Sequence, residues 1–192
     1  MTQHHNKSEE YFSAITDNDI NKVRELALSG VKQIISQMDD DHFGSYPIHV
    51  AAKLGNLEFV QCLVEHGADV HVTGNYGETP LHSAVYELHI DVARFLLANG
   101  ADIDALDDNE FSPLRAVSRY TSPEALKVLH LLLENGADEN TVLTQRHMTD
   151  EPVTPVMLEE VRTWRSKMEK NLIVQDLAHK AQHLTRPAVM KV

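Results

Sequence analysis

Cysteine is almost missing from this chain: Cys62 stands alone among 192 residues. No internal disulfide can form, which suits a reducing, intracellular, cytoplasmic setting. Basic charge is scarce too, with 17 Lys and Arg against 29 Asp and Glu and a formal net charge of −12. Nucleic-acid binding needs a basic footprint, so no nucleic-acid partner is expected. No apolar run approaches the roughly 20 residues of a membrane span, so no membrane partner is expected either. The opening MTQHHNKSEE lacks an apolar core, and no secretory signal is read there. The chain also lacks HExxH, GxSxG, a Walker-type Gly-rich loop and GxGxxG. These absences argue against the common hydrolytic and nucleotide chemistries, and no cofactor is expected.

The charge is uneven. Residues 1–153 hold 10 Lys and Arg against 25 Asp and Glu, whereas residues 154–192 hold 7 against 4. An acidic body joined to a mildly basic end suits a basic partner surface, or simply solubility.

The chain repeats. YPIHVA, TPLHSA and SPLRAV begin at Tyr46, Thr79 and Ser112, 33 residues apart each time. HGADV, NGADI and NGADE follow, with glycines at Gly67, Gly100 and Gly136. The first two glycines are 33 apart and the third is 36 on, so three residues are inserted within the third unit. Each unit reads as helix, turn, helix and extended loop. Thr79 can cap a helix whose first position is Pro80, and Ser112-Pro113 repeats the arrangement. The glycines suit the left-handed residue that ends the second helix. Leu63, Leu96 and Leu132 fall in one apolar column, Val60, Ala93 and Leu129 in another, and Gln61, Arg94 and His130 in a polar one.

Period, helix-start motif, G-A-D turn and apolar columns together resemble the ankyrin repeat. The resemblance is clear over about 42–141. It implies an all-α solenoid of stacked helix-turn-helix units with short, hairpin-like fingers and a helical C-terminal extension. The expected organisation is a tail at 1–7, a degenerate capping repeat at 8–41, and repeats at 42–74, 75–107 and 108–141. A long finger or linker at 142–153, capping helices at 154–185 and a loose tail at 186–192 complete it. Three departures stand out. Tyr46 replaces the capping threonine, so that helix should start less firmly; Arg115 replaces the repeat histidine; Leu88 stands where a glycine usually separates the paired helices. The resemblance makes His49 and His82 structural ties between units, not catalytic bases.

Such a stack typically grips another protein in its concave groove. By resemblance the groove residues are Val50, Lys53 and Leu54; Ser83, Tyr86 and Glu87; Ala116, Arg119 and Tyr120. Finger tips add Asp39 to Phe43, Asn75 and Tyr76, then Asp107, Asp108, Glu110 and Phe111. Tyr and Arg dominate binding energy at interfaces. Aromatic anchors inside an acidic rim suggest a basic or mixed helix or peptide as ligand, held by a monomer.

Residues 154–184 read as one or two helices. Val161, Trp164, Met168 and Leu172 form a stripe that slips to Ile173, Leu177, Ala181 and Leu184, with a break near Asn171. The segment caps the last repeat or docks on a partner. Other chemistry is weaker. Cys62 lies one turn from His66 but shares a column with Phe95 and Leu131, so it reads as buried and inert. Asp39-Asp40-Asp41-His42 lacks the alternating acids of a calcium loop and reads as a solvated tip. Thr2-Gln3-His4 would suit Cu(II) or Ni(II) if Met1 were removed, though a free tail is the default, and no zinc-like set is present. The reading is a non-enzymatic adaptor, inhibitor or scaffold. The alternatives are an effector that engages a host protein and a modifier with chemistry in the fingers or C-terminal segment. Residues 142–192 offer that chemistry no nucleophile–base pair, because cysteine is absent there and Ser166 lies among charges.

Overall fold

A computed structural model describes residues 10, 12–28, 46–143 and 153–184, with side chains to 26 in the N-terminal stretch and to 175 in the last. A helical stretch at 12–16 precedes α1 (Ile20–Leu28). Three pairs follow: α2 (Pro47–Lys53) with α3 (Leu57–Glu65), α4 (Pro80–Tyr86) with α5 (Ile90–Ala98), and α6 (Pro113–Val117) with α7 (Pro123–Glu134). A short α8 (Asn140–Leu143) and a long α9 (Pro155–Leu184) complete the order. First helices pack on first helices and second on second, α2 on α4 on α6 and α1 on α3 on α5 on α7. The fold is an all-α repeat stack.

Local chemistry sets the helix starts. Thr79 Oγ1 accepts from the His82 N–H, and Ser112 Oγ from the Arg115 N–H, with proline at the first turn in each case. Tyr46 makes no such side-chain bond, yet α2 has the same 7 residues as α4. The Tyr46 N–H instead donates to His49 Nδ1 at 3.2 Å, so the buried ring supports the turn the missing hydroxyl would have capped. The three-residue insertion lies in the second helix: α7 has 12 residues against 9 in α5, beginning at Ser122, whose Oγ accepts from the Ala125 N–H. Leu88 adopts φ 61°, close to the 69° of Gly55 one period earlier. A leucine there carries about 1 kcal/mol of left-handed strain, held by neighbours that fix the turn.

The columns become the core. Leu63, Leu96 and Leu132 are fully buried, as are Val60, Ala93 and Leu129. Phe12, Ile15 and Val23 are buried at the N-terminal end, and Val153, Met157 and Val161 at the other. No strand occurs among the described residues; the fingers are bent loops. The Gly74 N–H donates to the Glu78 carbonyl (2.9 Å) and the Asp107 N–H to the Phe111 carbonyl (3.0 Å). Neighbouring fingers are joined by the Asp108 N–H, which donates to the Tyr76 carbonyl at 2.8 Å, and by the Asp138 N–H, which donates to Asp104 Oδ1 at 2.9 Å.

The break expected near Asn171 is absent: α9 is one helix of 30 residues. Nothing after Pro155 forces a break, since no glycine or further proline follows before Leu184 and asparagine is only a modest helix breaker. Thr154 opens it, its Oγ1 accepting from the Met157 N–H at 3.3 Å.

Candidate functional site

The repeat histidines are fully occupied. His49 Nε2 donates to the Glu78 carbonyl and His82 Nε2 to the Phe111 carbonyl, each at 2.9 Å and each 29 residues on, in the next finger. Their Nδ1 atoms accept from the Tyr46 N–H and, for His82, from the Thr79 N–H at 3.2 Å. Both rings are therefore neutral with the proton on Nε2. Burial lowers the His49 pKa to about 4 and pushes His82 below its ordinary value, against the carbonyl bonds that favour the charged form. A ring whose two nitrogens are both used inside the fold is a tie between repeats. In the third unit the hydroxyl of Ser112 donates to Thr141 Oγ1 at 3.2 Å, again 29 residues on.

Beside these ties the first helices and fingers build one polar and aromatic surface. The Tyr86 hydroxyl donates to Asp107 Oδ2 at 3.0 Å, joining α4 to the following finger. Asp107 Oδ1 accepts from the Asn109 and Phe111 N–H groups at 2.8 and 2.9 Å, so this carboxylate shapes the finger and anchors the tyrosine together. The Arg119 guanidinium lies over three rings: Tyr86 at 5.4 Å, Phe111 at 5.7 Å and Tyr120 at 5.9 Å from their centroids. Such contacts are worth roughly 0.5–2 kcal/mol each, according to how dry the site is. Burial raises the Tyr86 phenol above its ordinary value, and Asp107 and Glu78 reinforce this while Arg119 opposes it. The Glu78 carboxyl is raised by burial, then by Asp107, and relieved by Lys53. Lys53, Glu78, Tyr86, Asp107 and Arg119 thus share one electrostatic neighbourhood across three repeats.

Not every residue assigned to the groove presents itself there. Ser83 is 7% exposed and Phe111 6%. Ser83 lies inside the α4 packing, and Phe111 is turned inward by the Asp107 turn, beneath Arg115 and Arg119. Ala116 is buried and Val50 half-buried against the core. Asp107 is 5% exposed, a finger brace rather than part of an acidic rim. Lys53, Leu54, Glu87, Asp108 and Glu110 are exposed; Tyr86, Arg119 and Tyr120 are half-buried. Tyr76 is 65% exposed and holds φ 65° at its finger tip. Leu106, 57% exposed on the finger beside Asp107, was not foreseen. Its only signal is an apolar residue next to the finger aspartate.

The other candidates are quickly placed. Cys62 is 4% exposed with its thiol pushed up by burial. His66 Nδ1 lies 2.7 Å from the Cys62 carbonyl oxygen, to which it donates, so it is no base for that thiol. The Thr2–His4 and Asp39–His42 segments lie outside the described residues, as do the tails at 1–7 and 186–192 and most of the 142–153 linker. Among the described residues no three metal-ligating side chains cluster, and no helix is long and apolar enough to cross a membrane.

At the C-terminal end, Arg165 donates through Nε and Nη2 to Glu139 Oε1 at 3.0 and 2.8 Å, and through Nη2 to Asn140 Oδ1 at 2.9 Å. His130, of the polar column, sits 3.4 Å from Glu160 of α9. The Thr154 N–H donates to the Ser118 carbonyl at 3.1 Å. The first three turns of α9 therefore cover the last repeat.

Comparison with known families agrees with this geometry. Residues 12–107 match the family model described as ankyrin repeats (3 copies), and residues 89–130 match the one described as ankyrin repeats (many copies). No curated protein matches the chain.

Proposed function

The chain belongs to the ankyrin-repeat family, whose stacked units form protein–protein interaction modules, and from that premise we propose that it is a non-enzymatic adaptor, inhibitor or scaffold that holds a basic or mixed helix or peptide in its groove. The observation that carries this reading is the Tyr86–Arg119–Tyr120 cluster. Tyr and Arg at one partly exposed spot, held in place by Asp107 and Phe111, form a rigid anchor that loses little entropy on binding. Exposed Glu87, Asp108 and Glu110 give its surroundings the sign that steers a basic ligand. Burial raises Glu78 and Tyr86, and the Arg119 guanidinium is already stacked on rings, an arrangement suited to recognition. A reducing, intracellular setting fits the single buried thiol.

Proteins captured by the intact chain and identified by mass spectrometry are compared with those captured by a Tyr86→Ala/Tyr120→Ala variant. Affinity for a groove ligand, followed by calorimetry, should fall by about tenfold or more. Unchanged affinity with normal circular dichroism removes these two residues from the site.

A further inference from the structure

From Ser166 to Gln175 every residue of α9 is exposed, and the run includes Met168 at 47%, Leu172 at 69%, Ile173 at 59% and Val174 at 63%. Helical segments of this size are marginal in water without a packed face, and three consecutive exposed aliphatics are a surface that wants cover. We infer that this projecting half of α9 docks in the groove of a second copy of the chain, giving a reciprocal dimer in place of the monomer expected from the sequence. The inference rests on the groove reading and names its occupant.

Three features of the molecule select that occupant. The first is charge: across 166–184 the basic Lys167, Lys170 and Lys180 outnumber the acidic Glu169 and Asp176, while on the groove side exposed Glu87, Asp108 and Glu110 outnumber exposed Lys53. The second is length. Residues 166–184 span about 28 Å as a helix, and three first helices side by side, at about 8–10 Å between axes, offer a groove of similar extent. The third is connection. Met157 and Val161 are fully buried and Arg165 is bonded to Glu139, so the start of α9 is fixed on its own last repeat. One unbroken helix cannot turn back from there into its own groove, so the groove it reaches belongs to another molecule. Exposed Leu54, Tyr76 and Leu106 offer that molecule's apolar contacts to Leu172 and Ile173. Pairing of α9 with another α9 is disfavoured, since it sets like charges together along a stripe whose register slips at Leu172–Ile173. Mutual exchange closes a two-fold dimer, with no free end to propagate a filament.

Sedimentation velocity of the full chain over a concentration series is the test, at about 0.15 M salt, where a screening length of about 8 Å leaves only touching charges to count. The expected result is a concentration-dependent dimer. Leu172→Asp/Ile173→Asp should weaken it at least about tenfold, as should Lys167→Glu/Lys170→Glu in the helix or Glu87→Lys/Asp108→Lys in the groove. All these positions are exposed, and far-ultraviolet circular dichroism should show unchanged helicity. Combining the two charge reversals in one chain should restore association. A chain that stays monomeric throughout overturns the inference. So does a dimer untouched by Leu172→Asp/Ile173→Asp, or one sensitive to the helix variants alone, which would mean helix–helix pairing. A monomer that still binds a foreign protein through Tyr86 and Tyr120 overturns self-docking and leaves the groove reading standing; loss of both brings down both.

Discussion

Two junctions in the stack are built differently. Between the second and third units, a buried histidine, a finger-to-finger backbone bond and fully buried leucines join like to like: His82 to the Phe111 carbonyl, the Asp108 N–H to the Tyr76 carbonyl, Leu96 beside its counterparts. At the C-terminal end no like partner follows among the described residues. There the stack ends against α9 through Met157 and Val161 and the Arg165–Glu139 ion pair. The first junction repeats one local solution, so its parts recur at a fixed period. The second is made once from side chains with no counterpart elsewhere. A repeat array needs both, because a repeated seam leaves an apolar face open at each end until something unlike it closes the stack.

Cutting α9 at two places breaks the comparison most severely. Removing 154–192 uncovers the last repeat and loses burial of Met157, Val161 and half of Trp164. At roughly 1.5–3 kcal/mol per buried aliphatic side chain, the loss should reach several kcal/mol, read as a lower urea midpoint or as aggregation. Removing only 166–192 should leave the midpoint nearly unchanged, because the described residues 166–175 are all exposed. Equal losses from both cuts would show that the cap extends beyond Arg165.

The same contrast explains what was legible in the sequence. The period located α2 to α7, the turn glycines, the buried columns and the two repeat histidines, because each is a local pattern written more than once; that the histidines tie units together came from the resemblance. Leu88 was readable as an oddity for the same reason: its counterpart Gly55 sets the rule that it breaks. The groove was legible only in part. The resemblance marks Tyr86, Arg119 and Tyr120, but it cannot say that the Asp107 carboxylate turns Phe111 inward or that Ser83 sinks into the packing. Those outcomes depend on hydrogen bonds within one finger. Arg165 with Glu139, and His130 with Glu160, join residues 26 and 30 positions apart outside any repeat. No sequence pattern announces a pair that occurs once. The missing break at Asn171 is a related case: a slip in the apolar stripe suggested two helices, whereas the backbone has no residue that ends one, and an exposed stripe exerts no packing force to bend it.

Acid should loosen the histidine junctions before it affects the C-terminal one. In the folded chain His49 stays neutral down to about pH 4, whereas the unfolded chain takes up its proton near the ordinary 6.5. The unfolded state then binds more protons, so the stabilisation is full above about pH 6.5 and is lost as pH falls toward 4. His49 alone accounts for up to about 3 kcal/mol, and His82, whose pKa is lowered in the same direction, adds to it. Unfolding free energy measured in urea should fall across that window. In a His49→Gln/His82→Gln variant, stable or not, the slope in that window should be much flatter. An unchanged slope would place the acid sensitivity elsewhere.

Arg165→Ala should produce the smallest change and the most local one. Its guanidinium is about a third exposed and its partner Glu139 a quarter, so water and salt screen the pair, which is worth about 1 kcal/mol or less. Total stability should move little. What should change is amide exchange at α8 and the first turns of α9, because Arg165 holds Glu139 and Asn140 at the point where the array hands over to the helix. The amides of α4 and α5 should keep their protection, since their ties run through His82 and the core leucines. If exchange rose equally in both places, the two junctions would form one cooperative unit and the contrast between them would be architectural only.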